Sequence, residues 1–373
     1  MNYEMFKEIV SEKFASYLPD EYKHRQLAFG SDYKINQERD FVSFMVGKDD
    51  PRVAPRMFLD ALYQDYKKIG DIELVLMGAA QDLCAHIERG EDAVSKLNFE
   101  EVPERVVFSL INAEQNQELL ARRPHRMFHD LAIVYDYVID WTPEESISCP
   151  ITNEFAEYVD LDEQTLFELS KENTQRIFPT EIKPMSVVIA ELMDYDIVPF
   201  DLKEALEQEL GTEELMFVIT NKAKHKGAAA LLFEDGLHDL AELYKDDLYI
   251  LPSSIHETIA VACTKMEPEQ LAEMVEEING TQVDVGERLS NQVYHYDRTT
   301  RKLSMATDTP NKSLSDYREH QEHEMTRGPV RSEAVMDRPE LTMEDIVTLV
   351  NAFEGEFIIH IEAREAEEDD GTE

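Results

Sequence analysis

Ser253-Ser254-Ile255-His256-Glu257 sets hydroxyls, an imidazole and a carboxylate in one consecutive run, the residue types that nucleophilic hydrolysis combines. Groups this close in sequence seldom reach working geometry, because a triad is assembled from separated loops. Ser254 and Glu257 also spell the S-x-x-E capping pattern, which closes backbone donors and needs no reaction. The segment therefore reads first as a structural turn. Its second reading is a catalytic group of Ser253, Ser254, His256 and Glu257.

A second constellation is His125-Arg126-Met127-Phe128-His129-Asp130. His125 and His129 stand four apart, which puts them on one side of a helix or strand, as metal ligation requires. Spacing fixes no third ligand, so the pair is only a weak metal candidate. Arg122, Arg123 and Arg126 make this one of two basic spots; Lys222, Lys224 and Lys226 make the other. Either has the chemistry to hold an anion, and charged loop tips are the plainer reading. Glu319-His320-Gln321-Glu322-His323-Glu324 carries liganding side chains in a stretch nearly free of large apolar residues, and reads as a flexible polar run. No P-loop, G-x-G-x-x-G, C-x-x-C or H-E-x-x-H occurs, so no cofactor is expected.

The elements that must position these groups follow from the apolar pattern. Residues 1–16 read as an amphipathic helix with Phe6, Ile9, Val10 and Phe14 on one side. Residues 26–36 and 40–46 read as strands joined by Gln37-Glu38-Arg39. Helices are predicted over 57–69 and 72–87. A strand at 105–111 and a helix at 114–121 follow, then an apolar run over 127–139 whose β-branched and aromatic content favours strand over buried helix. Asp162 opens a helix to Ile177 that Pro179 ends, and Asp201 introduces another over 202–210. Strands are predicted at 215–220, 227–233, 247–251 and 257–263, with helices at 236–244 and, between Pro268 and Gly280, at 268–279. Residues 292–297 and 302–305 pair as a hairpin. Thr342 with Asp345 suggests a capped helix to Phe353, followed by a strand at 357–361. The class is α+β, with antiparallel sheets flanked by helices. Four parts are expected: an N-terminal α/β part at 1–100, a main α+β part at 101–305, a flexible linker at 306–340, and a small appendage with an acidic tail at 341–373.

The 373 residues carry 36 Lys+Arg against 79 Asp+Glu, a formal net charge of −43. Twenty of the acids and four of the bases fall between Asp140 and Glu214. Such a field repels nucleic acid and anionic lipid, whose binding rests on Lys and Arg releasing counterions. Direct nucleic-acid binding is not expected. Acidic faces usually serve solubility; the sharper alternative is a carboxylate row that imitates the phosphates of DNA before a DNA-binding or defence protein. Hydrophobic residues at 43% suffice for a core. No apolar run approaches the roughly 18 residues a membrane span needs, and the N-terminus has no basic start with an apolar stretch, so no signal peptide is expected. Cys84, Cys149 and Cys263 are odd in number and far apart, which argues against a disulfide framework and for a reduced, cytoplasmic setting.

Several runs together resemble a family known as domain of unknown function 5688, seen in gut-dwelling anaerobic Gram-positive bacteria. They are RVVFSLIN at 105–112, PHRMFHDLAIVY at 124–135, ENTQRIFPTEIKPMSVVIAELM at 172–193, LMFVITNKAKHKGAAALLFEDGL at 215–237 and LYILPSSIHETIAV at 248–261. The likeness continues over 271–303, so it covers most of 105–303, and YILPSSIHE is its most specific piece. A Trp-Gly pair usual in the family is replaced here by Tyr158-Val159. The resemblance implies a shared fold and a cytoplasmic setting, and it supplies no activity. The expectation is a non-enzymatic protein that binds another macromolecule, most simply a protein; the alternatives are the hydrolase built on Ser253 or Ser254 with His256 and Lys222, and the nucleic-acid mimic.

Overall fold

The computed structural model describes residues 1–45, 55–142, 146–192, 200–208, 216–308, 347–353 and 356–362. The chain opens with α1 (Tyr3–Tyr17), where the Asn2 side chain accepts the Met5 N–H at 2.9 Å and satisfies a donor the helix cannot pair itself. The hairpin β1 (Leu27–Lys34) and β2 (Gln37–Phe44) follows, then β3 (Arg56–Phe58), α2 (Leu59–Ile69) and α3 (Ile72–Ser95). Phe6, Val10 and Phe14 of α1 pack with Leu76 and Leu83 of α3 and Val42 and Phe44 of β2 in a core of their own. The hairpin turns two residues earlier than expected. Lys34 pairs with Gln37, so Ile35-Asn36 is the turn, Asn36 takes the left-handed backbone (φ 62°), and Gln37-Glu38-Arg39 belong to β2.

The middle of the chain supplies α4 (Val102–Arg105), β4 (Val106–Asn112), α5 (Gln117–Leu120), β5 (His125–Phe128), β6 (Leu131–Trp141), β7 (Ser146–Pro150), α6 (Asn153–Tyr158) and α7 (Glu163–Ile177). Every residue of β4 is buried, as are the first nine of β6. The apolar run over 127–139 is thus a strand, entered through the short β5. Leu131, Ile133, Tyr135, Tyr137 and Ile139 face one way into the largest core, and each large apolar side chain removed from water there stabilises the fold by about 1.5–3 kcal/mol. Ala132, Val134, Asp136 and Val138 face the other way.

The remaining elements are β8 (Thr180–Pro184), α8 (Met185–Leu192), α9 (Leu202–Glu207), β9 (Met216–Asn221), α10 (Glu234–Tyr244), β10 (Leu248–Leu251), β11 (Thr258–Ala262), α11 (Pro268–Thr281), β12 (Tyr294–Asp297), β13 (Lys302–Met305), β14 (Val347–Phe353) and β15 (Glu356–Glu362). Strands β8 to β13 form an antiparallel sheet in the order β13-β12-β10-β11-β9-β8. Phe217, Ile219, Leu248, Ile250, Tyr294 and Tyr296 turn one face of it onto the β4–β6 core, while α11 covers the other through Leu271 and Val275 against Leu251 and Val261. The other sheet runs β1-β2-β3-β14-β15-β7-β6-β4, with β5 also on β6. The whole is α+β.

Two further expectations are corrected. Residues 227–233 are not a strand: Gly227–Leu232 is a 3-10 turn packed under β9, since its Gly-Ala-Ala-Ala start offers none of the β-branched bulk that favours a strand. The helix expected up to Phe353 is instead strand β14, paired with β15 from Val347↔Glu362 to Phe353↔Glu356, in keeping with its Val347, Thr348 and Val350. Thr342 and Asp345, nearly all of the proposed linker, the 319–324 run and the acidic tail lie outside the described residues.

Candidate functional site

The two basic spots converge on one carboxylate. Asp136, at 3% exposure, is the charged residue inside the apolar run of β6. Arg123, on the approach to β5, donates from Nη2 to its Oδ1 at 2.9 Å and also to the Tyr135 carbonyl. Lys226, at the end of the turn after β9, reaches Oδ2 at 3.3 Å, and Ser109 Oγ of β4 donates to the same oxygen at 3.2 Å. Burial pushes the Asp136 carboxyl up, but the Lys226 and Arg123 cations outweigh it and hold the group down at about 2. It is therefore ionised, and the cluster is a paired buried ion site.

The turn that delivers Lys226 is built locally. Asn221 donates from Nδ2 to the His225 carbonyl at 2.7 Å, and the Lys224 N–H donates to the Asn221 carbonyl at 3.0 Å. Lys224 and Lys226 both take left-handed backbone (φ 54° and 48°). Gly227 then passes so close to Thr220 Oγ1, the His256 carbonyl and the Asn221 nitrogen that a Cβ would collide with all three.

Ser254, His256 and Glu257 stand beside this turn, between β10 and β11. Ser254 Oγ accepts the His256 backbone N–H at 3.0 Å. The His256 ring uses Nδ1 to accept the Lys226 N–H at 3.3 Å, which places its proton on Nε2, 3.5 Å from Glu287 Oε1. Both ring nitrogens are thus engaged by groups other than Ser254. Glu257 bonds to Ser254, and burial first, then the Glu287 charge, push its carboxyl up against the opposing pull of His256. Ser254 Oγ accepting the N–H two residues on is a local serine turn, and the segment leads into β11 with no helix for Ser254 and Glu257 to cap. Ser253 is half-buried, and its carbonyl accepts the Leu289 N–H.

The other sequence candidates sit nearby. Arg126 makes a two-pronged bond to Glu163 (3.0 and 2.9 Å) over the Phe167 ring, and Tyr135 O–H donates to the same carboxylate at 2.5 Å. Glu163 is held below its usual range: burial opposes this, and the Arg126 and Tyr135 bonds prevail. Arg122 and Lys222 are exposed, and Lys224 reaches Glu191 at 3.4 Å. His125 lies on β5 with Nδ1 3.0 Å from the Arg123 carbonyl; His129 sits in the β5–β6 turn (φ 57°) with its ring against Phe128. Among the described residues no group of three His, Cys, Asp or Glu could hold a metal.

Alongside β5 runs an open trough made of two adjoining depressions, of about 500 and 690 Å³, that share Leu120, Ala121 and His125. Glu114 and Asp130 line the first, and Glu157, Asp160, Asp162 and Glu163 the second. Arg123 also lines the second, with its guanidinium directed at Asp136. Met127 on the wall of the first is 58% exposed. Elsewhere in the acidic middle, Asp140 pairs with Lys96, and Glu181 and Glu191 pair with Lys183.

Sequence reasoning missed Asp136, Ser109 and Asp130. Asp136 had a readable signal, a lone acid amid Leu-Ala-Ile-Val-Tyr and Tyr-Val-Ile, since a buried charge requires partners. Asp130 had none, because its hydroxyl partners Ser290 and Tyr294 come from far along the chain.

Compared with known proteins, residues 3–298 match the model of the family of unknown function DUF5688. The chain belongs to that family, and the match takes in the N-terminal part as well as the 105–303 region up to residue 298. No curated protein and no solved structure matches it. No helix among the described residues is long and apolar enough to cross a membrane.

Proposed function

We propose that the protein is a non-enzymatic cytoplasmic binding protein whose partner is a basic protein. The observation that carries this reading is the trough along β5. It is concave and open, six acidic residues are among those that line it, with Arg123 and His125 beside them, and an exposed methionine stands on its wall. A net charge of −43 adds a long-range field that steers a cationic partner toward it and repels nucleic acid. Two further features support binding over hydrolysis. The His256 ring is engaged by Lys226 and Glu287, and Ser254 Oγ accepts a backbone N–H as in a structural turn. The test is capture from host lysate with the tagged full-length chain at low and at high salt, with identification of what co-purifies. A defined basic protein retained at low salt and released at high salt is the expected result. Recovery of the chain alone under both conditions overturns the reading.

A further inference from the structure

We propose that a small cavity beside the Asp136 ion cluster binds a monatomic anion of about chloride size. This site is separate from the trough and independent of the basic-partner reading. The cavity, of about 20 Å³, lies against Asp136 and Lys226 and is walled by Val107, Val138 and Phe178. Such a volume is room for one or two particles of water size, which is the scale of a halide ion. Sheet register builds one side of it. Val107 stands opposite Asp136, and Ser148 opposite Val138, so these residues share a face. Ser146 is two residues along the same strand from Ser148 and points the same way.

The polar groups that line the cavity have donors left over. Thr174 of α7 is 4% exposed; its Oγ1 accepts the Phe108 N–H at 3.1 Å, and its own O–H has no acceptor among the described residues. The Ser146 and Ser148 hydroxyls have no hydrogen-bond partner among them either. The Lys226 ammonium spends one N–H on Asp136 Oδ2, at 3.3 Å, and keeps the others. Asp136 is already occupied: Arg123 holds Oδ1, while Ser109 and Lys226 hold Oδ2. The charge count points the same way. Arg123 and Lys226 each pair with Asp136 and with no other carboxylate among the described residues, so two cations share one anion and the cluster is left positive. A bare anion accepts from every side and donates nothing, so it satisfies the spare donors and the charge together. A water molecule leaves the charge uncompensated. Ser146 and Lys226 are half-buried, which gives an ion a way in.

The experiment measures the broadening of the chloride NMR line by the full-length protein, titrated with sodium chloride at an ionic strength held constant with sodium gluconate. Circular dichroism checks that each variant is folded. Wild type is expected to broaden the line saturably, with bromide displacing the chloride. Ser148→Val fills the cavity without changing any charge and should abolish the broadening. Ser148→Ala removes one donor to a charged acceptor and should weaken chloride about tenfold; it carries the comparison if Ser148→Val does not fold. Ser304→Ala, exposed on β13, should match wild type. A chloride line that wild type leaves unbroadened overturns the site and assigns the cavity to water. Broadening that Ser148→Ala leaves unchanged also overturns it, because the chloride then sits on other cations of the surface.

Discussion

Lys226 Nζ lies 3.3 Å from Oδ2 of Asp136, while the backbone N–H of the same lysine donates to Nδ1 of His256 at 3.3 Å. One residue in left-handed backbone thus links a buried carboxylate of β6 to the turn that leads into β11. The two sheets are joined there by charge as well as by the apolar core between them. The charge is compensated from both sides, because Arg123 holds the other carboxylate oxygen.

That compensation predicts asymmetric costs. Asp136→Ala leaves two cations, with side chains 11% and 19% exposed, facing a vacated buried position. Removing one partner of a buried pair costs about 3–5 kcal/mol. Lys226→Met leaves Arg123 on the carboxylate and should cost distinctly less. Urea unfolding of the three proteins measures both; an Asp136→Ala loss under about 1 kcal/mol would contradict the buried-cluster account.

The same group predicts a pH dependence. Its folded-state pKa, about 2, lies below the ordinary aspartate value of about 3.9. The stabilisation is therefore complete above the ordinary value and is lost as pH falls through the folded one. Unfolding free energy should decline between about pH 5 and pH 2, and Asp136→Asn should flatten part of that decline. If the Asp136→Asn variant declines as steeply as wild type, the acid sensitivity belongs to other carboxylates.

Asn36 predicts how firmly the N-terminal hairpin is attached. It is fully buried, and its Nδ2 donates to the Val285 and Arg288 carbonyls at 2.8 and 2.7 Å. Its backbone N–H donates to Asn116 Oδ1 at 2.7 Å, and Asn116 Nδ2 returns a bond to Asn36 Oδ1 at 2.8 Å. Asn36→Ala removes the side-chain bonds to the Val285 and Arg288 carbonyls and to Asn116 Nδ2, keeps the backbone bond to Asn116 Oδ1, and places alanine at positive φ, a loss of about 3 kcal/mol or more. Asn36→Gly relieves only the backbone part, so it should recover a minority of the loss. Hydrogen exchange should show the β1–β2 turn and residues 285–288 loosening together.

Much of this architecture was legible from local pattern. Asp162 does cap α7 by accepting the Thr165 N–H at 2.8 Å, Pro268 does open α11, and the strands β9 to β12 fall where β-branched and aromatic runs put them. What escaped depends on distant partners. Gln37-Glu38-Arg39 looks like a loop, yet Glu38 bonds across the ladder to Ser31 and Arg39 grips Asp60 on α2. The short β7 and β8 each end in proline and carry polar residues, so their strand character comes from the neighbours they pair with. For the site, both basic spots were visible as spots. Their meeting on Asp136 was not, because nothing local tells Arg123 and Lys226 that they share a carboxylate.

Gly227, at the start of the 3-10 turn, is a point of close packing whose removal should be felt at the ion site. A Cβ there would meet Thr220 Oγ1 and the His256 carbonyl inside normal contact and the Asn221 nitrogen at 2.8 Å. Two of these are backbone atoms of ordered strands and turns, which cannot give way as a flexible side chain can. Gly227→Ala should therefore destabilise by about 1–3 kcal/mol or more, and it should displace Lys226 from Asp136 and His256. Gly78 on α3 is the matched control, since nothing lies within 4 Å of its Cβ position. Gly78→Ala should stabilise by about 0.5–1 kcal/mol through helix propensity alone. Thermal unfolding of the pair decides the matter: opposite signs support the close packing at Gly227, and a neutral Gly227→Ala would refute it.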